Sequence, residues 1–509
     1  MMRIPGSAIV LTTLTMVVSG VVTVQPISAS EQFTIIDLGT LGGTFVHNVR
    51  INGSGQVAGN STTALGENHA FLWQEGVMTD LGTLGGSSSN ANALNESGQV
   101  VGTSDTSSGQ SHAFLWQEGV MTDLGTLGGT SSQAISINDL GHLVGGSATA
   151  QGVFHAFLWQ DGVMTDLGTL GGGSSAADIN ERRQVVGGSA TAPGQFHSFL
   201  WQDGVMIDIG SLGGTYTSAD AINESGQIIG TSATSLGEFH AFLWQDGVMT
   251  DLGTLGGSSS FANSINERGQ VVGLSKTSSG DEHAFLWQDG TMIDLGTLGG
   301  ASSAAIRINE RGQVVGGSSL TASGEFHAFF WQDGVMTDLG TLGGPFSGSG
   351  DINEVGQVAG VSTTALGDRH AVLWLPAVVP VTVSVDIKPG KFPNTIELEN
   401  GEDGGPCNDD DKLRLAILTA SYFDALTVDL SSVQLGDPAL SGRVSPLRGR
   451  ARDVDGDADK DLLLVFSLCD LVVNAALDSN TVELVIMGST FSGIPVSGSD
   501  SVQVVGEDD

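Results

Sequence analysis

The chain repeats itself. The block His-Ala-Phe-Leu-Trp, with small variations, begins at His69, His112, His155, His197, His240, His283, His327 and His370. All eight tryptophans close these blocks, from Trp73 to Trp374. A second block, Asp-Leu-Gly-Thr-Leu-Gly-Gly, recurs eight times from Asp37 to Asp338, once as Asp208-Ile-Gly-Ser-Leu-Gly-Gly. A third places Asn after Ile or Leu, with Gly three residues on. It runs from Asn52 to Asn353, and Arg183 replaces the glycine once. A period of about 43 residues confines the fold to one small unit stacked or set in a ring.

Each unit reads as four short strands. In the second unit these are residues 90–95, 99–104, 112–116 and 120–124, with Gly98 and Gly119 placed for hairpin turns that need positive φ. No unit holds ten uninterrupted residues of helical period. Four strands in about 43 residues is the size of a propeller blade, with the Ala-rich Ile-Asn strand innermost and Val-Met-Thr-Asp-Leu outermost. Phe33 to Gly39 is an outermost strand without a blade, and the last unit stops after Trp374 without one. Pairing the two completes an eighth blade and removes two open edges. An elongated β-solenoid is the alternative, but it would carry distinct capping repeats. The expected architecture is all-β: an eight-bladed β-propeller over residues 31–378 and a small C-terminal β-sandwich over 379–509.

These His-Ala-Phe and Asp-Leu-Gly-Thr-Leu-Gly-Gly units resemble the HAF-repeat family of predicted extracellular bacterial proteins. The resemblance covers all eight units. It implies export and a repeat β fold, and brings no activity with it. Val385-Asp-Ile-Lys-Pro-Gly390 resembles a VDIKPG-type domain near the C-termini of exported bacterial proteins.

Residues 1–30 read as a secretory signal: Arg3, then an uncharged apolar run, then small residues at Ser28, Ala29 and Ser30. The expected product is secreted or cell-surface, without a membrane span in the mature chain, and monomeric. Cys407 and Cys469, the only cysteines, are disulfide candidates there, with two buried thiols as the alternative. Glycine reaches 75 of 509 residues without a Gly-X-Y period, so collagen is excluded. A net charge of −38 excludes a nucleic-acid partner, whose phosphates this surface repels.

Eight histidines at one blade position are spread around a ring and cannot converge on one ion. They read as braces between strand ends, and the repeated Asp and Asn as turn and strand-end partners. Function belongs where the units differ. Two residues before the strand-end Asn stand Arg50, Ala93, Ser136, Asp178, Ala221, Ser264, Arg307 and Asp351. Closure makes neighbours of Arg307, Asp351 and Arg50, with His47 on the strand of Arg50. The cluster either grips an anionic group or locks the ring as a satisfied ion-pair set. Phe154, Phe196, Phe239 and Phe326 precede their histidines and would either stack on a sugar ring or cover blade edges. Loops rich in Ser, Thr and Gly would share one face, and the tight acidic turns the other.

In the C-terminal module, Asp453, Asp455, Asp457, Asp459 and Asp461 alternate through one tight loop. Carboxylates so spaced wrap a hard cation, so Ca²⁺ is the expected cofactor, with an acidic surface turn as the alternative. The loop resembles those of integrin-type repeats, except that Ala458 replaces a usual Gly.

No nucleophile elbow, zinc spacing or P-loop is present, and no catalytic residue is assigned. The leading reading is an exported non-enzymatic binding or scaffold protein that recognises extracellular polysaccharide or a surface protein through propeller loops. A propeller-type polysaccharide lyase or hydrolase is the first alternative, with Asp178 and Asp351 the nearest carboxylates. A purely structural surface or matrix protein is the second.

Overall fold

The computed structural model describes residues 33–192, 194–320, 324–377, 381–389, 393–398, 411–420, 423–457, 459–490 and 495–506. The expected signal segment, Cys407 and Ala458 lie outside the described residues. The chain divides into two compact units, one ending at Pro376 and the other beginning at Ala377.

The first unit is an eight-bladed propeller. After strand β1 (Phe33–Gly39), the first blade consists of β2 (Gly42–Ile51), β3 (Val57–Thr63), β4 (Asn68–Gln74) and β5 (Val77–Asp80), each antiparallel to the next. Six blades repeat this order. The eighth has only Gly343–Ile352, Val358–Thr364 and Arg369–Pro376 of its own, and β1 supplies its fourth strand. Phe33 lies opposite Pro376 and Asp37 opposite Val372. Closure of the ring by the leading strand is therefore as the repeat pattern predicts.

The turns follow from two residues each. Between β4 and β5, Glu75 and Gly76 both take positive φ, 50° and 85°, the geometry of a two-residue hairpin turn matched to strand twist. Asp161, Asp203, Asp246, Asp289 and Asp333 repeat it, where Asp tolerates the left-handed region. One difference from the sequence reading concerns the inner strand. In six of the eight blades it begins at the Gly-Gly pair of the repeated block, so a Ser- and Gly-rich stretch with the composition of a loop is the start of a strand such as Gly128–Ile137. A register shift inside this strand makes room for the pattern: in the second blade it falls between Ala91 and Ala93. It turns the Asn90 carbonyl onto Gly102, where any Cβ would overlap it. That contact explains the invariant glycine of the second strand.

The core lies between blades. Val144, Ala156, Leu158 and Leu167 of the third blade pack on Ala176, Ile179, Val185 and Phe199 of the fourth. The third strand of a blade is apolar on both faces because each face meets a different neighbour: Phe71 packs in one inter-blade core, Ala70 and Leu72 in the next. The phenylalanine of the repeated block is fully buried in seven blades. In the eighth, Val372 takes its place and Trp374 is the tryptophan that is wholly buried, so the indole occupies space the smaller residue leaves.

The second unit is a β-sandwich with one core. One sheet contains Val381–Thr382, Pro495–Ser501, Glu483–Ser489 and Gln434–Gly436; the other contains Val385–Ile387, Lys412–Ile417, Asp461–Ser467 and Arg448–Arg452. Residues 381–387 thus hold two short strands that join different sheets. A helix, Leu468–Val473, carries Cys469, which is disulfide-bonded.

Candidate functional site

The repeated polar residues are committed to holding the ring. His69 Nδ1 donates to Asp80 at 2.8 Å, tying the third strand to the fourth, and the other blades repeat the pair. In the eighth blade the partner of His370 is Asp37 of β1, at 2.9 Å. The strand-end asparagines form a closed circuit. Asn52 Nδ2 donates to the carbonyl of Asn95, Asn95 to that of Asn138, and so on through Asn180, Asn223, Asn266 and Asn309 to Asn353. Asn353 then donates to the carbonyl of Asn52 at 3.1 Å. Beside it, each turn amide donates to the next blade's turn carboxylate, from Gly53 on Glu96 round to Glu310 on Glu354. Gly53 has no carboxylate to offer, so this second circuit has seven links. Gln56 Nε2 donates to Gln74 Oε1 at 2.9 Å, which puts the two tight turns of a blade on one face.

The inner strands line an axial cavity of about 400 Å³ that includes Arg50, Ser136, Asp178, Asp220, Ser264 and Arg307. Arg307 Nε lies 3.7 Å from Asp351 Oδ1, and Asp351 Oδ2 accepts from the Ile51 amide at 3.2 Å. Asp178 makes the same tie to the Ile222 amide at 3.0 Å and also accepts from Ser136 Oγ at 2.7 Å. Both carboxylates considered as catalytic candidates are therefore tethers between blades. Arg50 is not drawn into the pair; its guanidinium donates to the Val49 carbonyl at 3.2 Å. Burial, then the charge of Arg307, depress its pKa, while Asp351 opposes them. His47 turns away, against Phe45 at 5.7 Å between ring centroids. Burial and then Arg369 lower its pKa, so it is neutral near pH 7.

Asp220 is the channel carboxylate that the sequence reading passed over. It sits one residue inward of the positions compared there. Its side chain opens to the cavity, yet the surrounding protein desolvates it and pushes its pKa up to about 6, against a smaller opposing hydrogen bond from Ser218.

The loop face carries aromatic rings at blade junctions. Phe196 pairs in parallel register with Tyr216 of the next blade, and their rings stack at 5.6 Å and 20°. Phe239 meets Tyr216 edge-on at 5.8 Å. Tyr216 and Phe239 are each 39% exposed. Phe196 and Tyr216 border a cleft of about 670 Å³ whose floor is Gly171, Gly172 and Ala190. Phe326 stacks on Phe346 in the same way, at 5.9 Å. Phe154 is 40% exposed and has no ring partner among the described residues. Tyr216 stands where most units carry Ser, a departure visible in the repeat alignment.

In the sandwich unit, ligand oxygens of Asp453, Asp455 and Asp461 lie within 4.8 Å of one another, as do those of Asp455, Asp457 and Asp459. Asp461 is fully buried, and its two oxygens accept from the Thr419 and Val454 amides. It anchors the loop and keeps only its second lone pairs. Asp459 Oδ1 is buried without a hydrogen-bond partner. Desolvation, then Asp457, Asp461 and Asp455, push Asp459 up to about 6. An orphaned oxygen among crowded carboxylates fits a hard cation.

No family model matches the chain, and no curated protein does. Among solved structures, similarity extends to the Pyrococcus horikoshii acylaminoacyl peptidase at 11% identity and a TM-score of 0.38, over 76% of this chain and 60% of that one. The chain thus matches less than two thirds of that peptidase. A putative TolB from Agrobacterium tumefaciens aligns at 13% identity and a TM-score of 0.32, over 48% of this chain and 90% of its own. AofleA from Arthrobotrys oligospora aligns at 13% identity and 0.28, over 52% and 91%. Likeness at this level says nothing of function; the propeller stands on the chain's own strand pairing.

Proposed function

We propose that the chain is an exported, non-enzymatic glycan-binding protein whose propeller presents aromatic rings to extracellular polysaccharide. The observation that carries this is the stacked pair Phe196–Tyr216, with Phe239 on its edge, beside an open cleft on the loop face. Rings held flat by one another lose little entropy when a sugar packs on them, and the tyrosine hydroxyl adds a polar handle. The test is a glycan array with the wild-type chain and with Tyr216→Ala and Phe239→Ala. Retained far-UV circular dichroism with lost binding supports the reading; silence of the wild type on every glycan overturns it in favour of a surface-protein ligand or a structural role.

Ca²⁺ is assigned to Asp453, Asp455, Asp457 and Asp459, with Asp461 orienting the loop. Calorimetric titration should show one site, lost in Asp457→Asn, and proton release on binding near pH 6, because Asp459 must ionise. Absence of heat in the wild type removes the metal. A glycan-cleaving reading has one specific observation in its favour, the carboxyl of Asp220 poised near 6 in the channel. Cleavage of acidic polysaccharide that disappears in Asp220→Asn would bring that reading forward.

A further inference from the structure

The seam between the eighth and first blades differs from every other junction. Where Phe196 or Phe326 precedes its histidine, the eighth blade has Arg369, in parallel register with Phe45. Its guanidinium carbon lies 5.1 Å from the Phe45 ring centroid and 4.8 Å from that of Phe346. Phe326, Phe346, Arg369, Phe45 and His47 thus form one continuous stack across two junctions.

Behind the stack lies a cavity of about 300 Å³ bordered by Arg50, Arg369, Phe346, Gly348 and Ser349. Gly348 creates it, since the equivalent positions of other blades hold His47, Asn90, Gln133, Ser175, Ser218, Phe261 and Ala304. The propeller from 33 to 376 has eight Lys and Arg in a chain of net charge −38. Two of those eight face this cavity, and Arg307 adjoins it. Neither Arg50 nor Arg369 forms a close ion pair among the described residues; Asp351 is paired with Arg307 and acts on Arg50 only from a longer distance. Arg369 Nε and His47 Nδ1 are buried without a hydrogen-bond partner. Guanidinium donors withdrawn from water without a counter-ion are costly, and an anion in the cavity is the simplest remedy.

We propose that this seam cavity binds the carboxylate of a uronate-type sugar, held in the fork of Arg50 and Arg369 while the sugar ring lies against the aromatic stack. The sugar half rests on the glycan-binding reading above; the carboxylate half rests on the arginines alone. Two planar donors match a carboxylate, and the exposed Phe45 ring, 44% accessible, extends the contact surface. The protein's acidity selects an isolated uronate, at a chain end or as a sparse branch, because a continuous polyanion is repelled.

The experiment is calorimetric titration of the full chain with a glucuronate-branched xylo-oligosaccharide, its unbranched counterpart, acetate and sulfate. The expected result is that only the branched sugar binds tightly, with affinity falling on the order of 30-fold in Arg369→Gln and Arg50→Gln. Gly348→Gln, which leaves both charges and fills the cavity with a side chain found at this position in another blade, should abolish binding while melting is retained. Arg311→Gln, on an exposed turn, should change nothing. Equal binding of acetate or sulfate, equal binding of the unbranched sugar, or indifference to Gly348→Gln each overturns the proposal. If unbranched sugar binds and only Tyr216→Ala removes it, the seam fails while the loop-face reading survives.

Discussion

At Val372 the repeat consensus and the packing disagree. Every other unit has Phe there, so consensus reasoning favours Val372→Phe. The buried Trp374 already fills that volume, so the substitution should overpack the core and destabilise by about 1–3 kcal/mol in urea unfolding. Asp220 gives a second residue-scale prediction. Its folded pKa, about 6, stands above the ordinary aspartate value of 3.8, so the folded state favours the protonated form. Its contribution is fully present below about pH 4 and is lost as pH rises through about 6. Asp220→Asn should therefore raise Tm above pH 6.5 relative to wild type, with the difference gone near pH 4. Asp220 escaped the sequence reading because only the position beside it was compared; which of two adjacent residues reaches the channel depends on a register shift the sequence does not announce.

Among the elements, strand number and turn chemistry were legible because Asp-Gly and Asn-x-x-Gly repeat with the period. The start of the inner strand was not, since Gly-Gly-Ser-Ser has the composition of a loop and is made strand by Ser Oγ to backbone bonds such as Leu84 N to Ser104 at 2.9 Å. In the sandwich, the three-residue Gln434–Gly436 and the charged Arg448–Arg452 carry no apolar pattern that would announce them as strands. The asparagine circuit yields a prediction at this scale. Asn353→Ala removes donation to Asn52 O and the acceptor for Gln357 N, and should cost about 2–3 kcal/mol. Asn180→Ala, far from the seam, makes the equivalent loss. Equal costs in chemical denaturation would mean the closing link is as strong as the internal ones.

For the propeller as a whole, closure depends on β1. Deleting residues 33–39 bares the edge of Arg369–Pro376 and removes Asp37 from His370 and Phe33 from Phe330, 5.0 Å away. The truncated chain should melt lower and self-associate in sedimentation, as unpaired edges do. The candidate cluster was legible only in part. Units that depart from the repeat pointed to Arg50, Arg307 and Asp351, and Arg307 does meet Asp351. Arg369 was hidden because it stands before its histidine at a position that other units fill with a phenylalanine ring. Its partners come from positions more than 300 apart in numbering, brought together only when the ring shuts.

Phe33 lies opposite Pro376, so the two ends of the repeat array are side by side. Seven other junctions have the same asparagine link. Where the chain is cut is thus a choice of the gene and not of the architecture. A circular permutant joining 376 to 33 through a short linker, and opened at another blade's loop, should fold to the same ring, with its arginine-lined seam now sealed by an unbroken backbone.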